Sequence, residues 1–87
     1  MSRYEVQILP SAARALRKLP PEAKRRIQGA IDLLAEDPRP PAAKKLVARP
    51  EWRVRTGDYR VLYRIDEELH RVTVVGVFAR ADAYRTP

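Results

Sequence analysis

Residues 51–66 read EWRVRTGDYRVLYRID, and the period of this stretch decides the fold. Apolar and polar side chains alternate over 52–56 and again over 59–66, the two-residue repeat of a strand with one buried face. Between the runs stands Gly57-Asp58, and glycine at the first central position is what a two-residue type II′ turn requires. Such a turn sets the register: Arg55 opposite Arg60, Arg53 opposite Leu62, Trp52 opposite Tyr63. A third run, 71–79, follows a looser turn at 67–70 and predicts Arg64 opposite Thr73 and Arg60 opposite Val77. Parity then divides the meander into two faces. One carries Trp52, Val54, Tyr59, Val61, Tyr63, Ile65, Val72, Val74 and Phe78. The other carries Arg53, Arg55, Arg60 and Arg64 among Leu62, Val75 and Val77.

Upstream, residues 3–8 alternate in the same way and stop at Pro10, which predicts a first strand. Ser11 is placed to cap a short helix with Ala12, Ala15, Leu16 and Leu19 on one face, ended by Pro20. Pro21 suits the first position of a second helix, and Ala23, Ile27, Ala30, Ile31 and Leu34 form its apolar stripe as far as about Glu36. Residues 37–51, DPRPPAAKKLVARPE, hold four of the eight prolines and read as an extended connection carrying Lys44 and Lys45. The expected fold is α+β in the order β-α-α-β-β-β. A small antiparallel sheet carries the helical hairpin on one face, and residues 1–87 form a single domain.

Composition narrows the function. An 87-residue chain hides only about 60% of its unfolded surface on folding, too little core to house a large cofactor. It has no Cys and one His, which excludes disulfide stapling and thiolate metal sites. No GxGxxG, P-loop or nucleophile elbow occurs, so neither a cofactor nor a metal is expected. His70 reads as a turn residue, and Glu67-Glu68 as solvated carboxylates. The opening MSRYEVQILP has neither the basic flank nor the apolar run of a leader, and no stretch suits a membrane span, which points to the cytoplasm without a membrane partner. Net charge is +7, and fourteen of the eighteen cations are Arg. Arginine's planar fork suits phosphate and carboxylate, so the charge favours a nucleic acid or an acidic protein as partner.

The candidate site is the arginine face. Like charges directly opposite on a sheet cost roughly 0.2–1 kcal/mol, and the register places Arg55 against Arg60 with Arg53 nearby. An anion held between them would turn repulsion into a clamp; the bland alternative is that the side chains splay into solvent. Arg64 has acidic residues at its own end of the hairpin and reads as structural. Beyond the last strand, ARADAYR brings Arg80, Tyr84 and Arg85 toward the same end, Tyr84 offering a ring for stacking and a phenol among cations. The alternative for Tyr84 is packing on the sheet edge. Trp52 points to the core.

With these residues in view, the chain resembles the RelE-type toxins of the RelE/ParE superfamily of bacterial toxin–antitoxin modules. The likeness runs through ALRKLPPEAKRRIQGAIDLLAEDPRP, KKL, EWRVRTGDYRVLYRID and RVTVVGVFARADAYR, and is most specific in GDYRVLYRID and in the Arg-x-x-x-Tyr of ARADAYR. It implies a toxin that enters the ribosomal A site and cuts mRNA there, restrained by a RelB-like antitoxin in a hetero-oligomer. It implies catalytic roles for Arg53, Arg55, Arg60, Arg80 and Tyr84, with Lys44, Lys45 and Arg85 as RNA-binding residues. In the family the positions of Arg53 and Arg55 are often Lys with acid–base roles. Arginine is not deprotonated in proteins, so a proton shuttle would fall to Tyr84, Lys44, Lys45 or the ribosome. The same fold also serves ParE-like toxins that inhibit DNA gyrase, an alternative suited to exposed Leu62, Val75 and Val77. A third reading is a domain that only docks its antitoxin.

Overall fold

The computed structural model describes residues 3–79. β1 (Glu5–Ile8) leads through α1 (Pro10–Arg17) and α2 (Pro21–Glu36) to β2 (Ala43–Lys45), β3 (Trp52–Thr56), β4 (Tyr59–Asp66) and β5 (Arg71–Ala79). The five strands form one sheet in the order β1-β5-β4-β3-β2. The helical hairpin therefore carries the chain from one edge of the sheet to the other. The α+β architecture and the hairpin on one face are those read from the sequence.

Two features of the sheet differ from that reading. Residues 43–45 pair with β3, Lys44 opposite Arg53 and Lys45 opposite Trp52, so part of the connection is a fifth strand. Its three residues lie among prolines and carry no alternation, and partnership with β3 alone makes them a strand. The second difference is direction: β1 pairs parallel with β5, Val6 opposite Val72, while all other pairs are antiparallel. Turn residues mark hairpins locally, whereas the direction of β1 is set by a helical crossover that no turn signal encodes.

The helices begin on prolines. Pro10 is the first residue of α1, with Leu9 as cap and no side-chain capping bond, so Ser11 is inside the helix and not its cap. Pro21 opens α2 as expected. Ala12, Leu16, Ile27, Ile31 and Leu34 meet Val54, Val61, Tyr63, Val72, Val74 and Val77 in the core. The Tyr63 hydroxyl donates to the Pro38 carbonyl oxygen at 2.7 Å, and burial pushes its pKa up to about 12. That bond ties the chain leaving α2 to the middle of the sheet.

The β3–β4 register is the one predicted, with Arg55 opposite Arg60 and Trp52 opposite Tyr63. Gly57 has φ +59 while Asp58 is not left-handed, as a type II′ turn demands. The β4–β5 register agrees at Arg64 and Thr73 but shifts between Leu62 and Tyr63, so Arg60 faces Phe78 and not Val77. One extra residue in β5 reverses parity beyond it. Val77 accordingly joins the core at 7% exposure, opposite Val61, and Phe78 moves to the arginine face. Gly76 makes this possible: a Cβ there would stand 2.5 Å from Phe78 Cε2.

Candidate nucleic-acid interface

Both helices cover the face of the sheet that carries Val54, Val61 and Val72, so the opposite face holds the charged residues. Lys44, Arg53, Leu62 and Gly76 form one row across β2, β3, β4 and β5, and Arg55, Arg60 and Phe78 form the next. Lys44 and Arg55 are exposed and Arg53 is half-buried. Arg60 is only 8% exposed, with Arg55 and Phe78 as its cross-strand neighbours. Burial of an arginine stem beside an aromatic ring gives the guanidinium a defined position.

The sheet is polarised in charge from end to end. At the end remote from the Gly57 turn, three carboxylates of the described residues form ion pairs. Glu51, 3% exposed, accepts from Arg64 Nε at 2.9 Å and from Arg49 Nε at 3.2 Å. Glu5 accepts from Arg71 Nε at 3.0 Å, and Glu67 takes an ion pair from Arg39 and a 2.6 Å hydrogen bond from the Tyr4 hydroxyl. Burial pushes the Glu51 carboxyl up, but the hydrogen bond from Arg64 and the charges of Arg49 and Arg64 outweigh it and hold it below the usual carboxylate value. The Tyr4 and Arg39 hydrogen bonds likewise depress Glu67. Arg39 also lies over the Trp52 ring, 5.4 Å from its centroid, and Tyr4 stacks on His70 at 4.6 Å. A cleft of about 460 Å³ opens at this end, lined by Pro50, Arg64, Glu67 and Thr73 among others, away from Arg53, Arg55 and Arg60.

Among the described residues, Lys44, Arg53 and Arg55 have no ion pair. Uncompensated guanidinium groups on an open face, beside a buried arginine, suit a polyanion that supplies the missing charge.

The structure places the expected site residues that fall within 3–79. Arg53, Arg55, Arg60 and Lys44 come together on one face. Lys45 does not: it pairs with Trp52 on the helix side, and its Nζ donates to the Arg49 carbonyl oxygen at 3.0 Å. Arg64 is structural as expected, through Glu51 rather than the acids beside it in the turn. Arg80, Tyr84 and Arg85 lie outside the described residues, whose last member, Ala79, sits opposite Tyr59. The sequence reading missed Phe78 beside Arg60, and the signal for it was Gly76, since a glycine inside a strand often marks a bulge.

Comparison with known proteins agrees with this architecture. Residues 6–84 match the family described as the ParE toxin of the type II toxin–antitoxin system parDE. The chain is 38% identical over 88 residues to Toxin RelG of Mycobacterium tuberculosis, covering 94% of this chain and 97% of that protein. Among solved structures it resembles a chain of the RelBE2 toxin–antitoxin complex from Mycobacterium tuberculosis, with TM-score 0.81 and 32% identity over 90% of this chain and 99% of that one. It is also similar to a chain of the archaeal RelE–RelB complex from Pyrococcus horikoshii, with TM-score 0.81 and 28% identity over 90% and 96% of the two chains.

Proposed function

Because the chain belongs to the RelE/ParE superfamily of type II toxin–antitoxin toxins, we propose that it is a ribosome-dependent endoribonuclease that cuts mRNA in the A site. The observation that carries this reading is the open face on which Arg53, Arg55 and the buried Arg60 lie together, side by side across β3 and β4. In the proposed reaction the ribose 2′-oxygen attacks the adjacent phosphorus, the bond from phosphorus to the 5′-oxygen breaks, and a cyclic phosphate and a 5′-hydroxyl result. Negative charge grows on the phosphoryl oxygens and on the leaving oxygen. Arg60 and Arg80 are assigned to that charge, and Arg53 and Arg55 to the flanking phosphates; fixed donors aimed at developing charge are commonly the largest catalytic contribution.

Proton transfer is assigned elsewhere, because guanidinium groups do not act as bases at neutral pH. Tyr84 and Lys44 are the candidates in this chain. Lys45 is a poorer one, since its ammonium is engaged with Arg49 on the helix side. Arg85 is assigned to RNA binding. The partner proposed to restrain the toxin is a RelB-type antitoxin, as the solved relatives are toxin–antitoxin complexes, and the compartment proposed is the cytoplasm.

The test adds purified, antitoxin-free protein to a reconstituted translation reaction with defined mRNA and maps 5′ ends by primer extension, with and without ribosomes. Cuts confined to the ribosome-containing reaction are expected, lost in Arg60→Gln and in Arg80→Ala while circular dichroism stays unchanged. Arg60→Gln is preferred to alanine because truncating a buried stem also removes packing. Intact mRNA in both reactions would overturn the reading. The matching family carries the ParE name, so gyrase supercoiling measured on the same preparation is the decisive second assay.

A further inference from the structure

Among the cations of the helical hairpin, Arg26 stands nearest Gly57 of the β3–β4 turn. Arg26, exposed on α2, extends its guanidinium to the tip of the β3–β4 hairpin: Nη1 stands 2.7 Å from where a Cβ on Gly57 would be, and Cδ 3.7 Å. Gly57 thus serves two ends, its positive φ and the room its missing side chain leaves for Arg26. No carboxylate compensates Arg26 among the described residues, and Asp58 in the same turn forms no ion pair there. Arg39, Arg49, Arg64 and Arg71, which form ion pairs, lie at the other end of the sheet.

We infer that Arg26 is a further phosphodiester-binding residue of the proposed site, reaching the hairpin tip from the helix side while Arg55 and Arg60 reach the same end from the open face. The inference rests on the RNA-cleaving reading for its ligand class and adds to it a residue from α2. An RNA backbone crossing the arginine face and leaving past the Gly57-Asp58 turn meets Arg26 next. A guanidinium lying against a glycine is restricted in its motion, which lowers the entropy lost on binding. Arg26 touches a phosphate away from the reacting bond, so it contributes to affinity rather than to the chemical step.

The experiment measures binding to ribosomes, with and without mRNA, and cleavage kinetics on the mRNA-loaded ribosomes. The proteins are the wild type, Arg26→Ala, Arg26→Lys and Arg17→Ala, the last removing the same charge from α1. Arg26→Ala is expected to weaken binding about fivefold and to reduce the slope of log affinity against log salt by roughly 0.7, the loss of one single-strand phosphate contact. In cleavage, KM should rise with kcat unchanged. Arg26→Lys should recover part of the loss, as a point charge without the planar fork, and Arg17→Ala should bind as the wild type does. Loss confined to mRNA-loaded ribosomes identifies the mRNA backbone as ligand, and equal loss on empty ribosomes identifies ribosomal RNA. Unchanged binding in Arg26→Ala, or an equal loss in Arg17→Ala, would overturn the inference. A wild type that binds ribosomes but leaves mRNA intact would defeat the endonuclease reading alone, with Arg26 still judged by binding.

Discussion

Glu51 illustrates how one residue organises charge in a small basic chain. Its carboxylate is buried at the start of β3 and accepts from Arg49 and Arg64, whose own side chains are 43% and 59% exposed. Two of the chain's many guanidinium groups are thereby engaged by a single buried carboxylate. Because the folded pKa lies below the ordinary value of 4.5, the stabilisation is fully present above the unfolded pKa and is lost as pH falls through the folded one. Glu51→Gln should lower unfolding stability at neutral pH by about 1 kcal/mol, the bonds being screened by solvent at their arginine ends. It should also reduce the further loss on acidification. Urea titration of both proteins at about pH 7 and about pH 3 checks this: a variant as acid-sensitive as the wild type would show that Glu51 carries none of the dependence. The partnership with Arg49 was not legible in the sequence, because Glu51 follows a proline in a segment without periodicity.

Strand β5 is the element on which the candidate site depends. The register shift at Leu62 and Tyr63 turns Phe78 toward Arg60 and sends Val77 into the core. Gly76 accepts the Phe78 ring where any Cβ would collide with it. Gly76→Ala should therefore cost about 1–3 kcal/mol, the range for overpacking, and Phe78→Ala in the same chain should relieve most of that cost. A thermal-denaturation double-mutant cycle reads the coupling; additive effects would show that ring and glycine do not meet. Strict alternation predicted Phe78 inside and Val77 outside because a run of nine β-favouring residues contains no local mark for an inserted one except Gly76. The hairpin of β3 and β4, by contrast, was read correctly in every pair, since its two-residue turn leaves a single register.

Across the whole molecule charge is sorted rather than spread. Among the described residues, Arg39, Arg49, Arg64 and Arg71 pair with Glu5, Glu51 and Glu67 at one end of the sheet, whereas Lys44, Arg53 and Arg55 form no ion pair. An interface of this kind should respond steeply to salt. With three or four phosphate contacts on single-stranded RNA, log affinity should fall against log salt with a slope of roughly −2 to −3. A flat response in a ribosome-binding titration would mean that apolar docking through Leu62 and Phe78 dominates. Antitoxin binding through such an apolar strip should vary less with salt, which separates the two partners experimentally.

Sequence alone determined the two helices and four of the five strands, the α+β class, the β3–β4 register and the grouping of Arg53, Arg55 and Arg60, because these follow from period, proline and one glycine turn acting over a few residues. Tertiary structure decided the parallel pairing of β1, the extra strand at residues 43–45, the reversal of Val77 and Phe78, and the contact between Arg26 and Gly57. Each of these joins segments that are distant in the chain or depends on how strands settle against the helices, and no local propensity encodes an interaction whose partner is supplied only by packing.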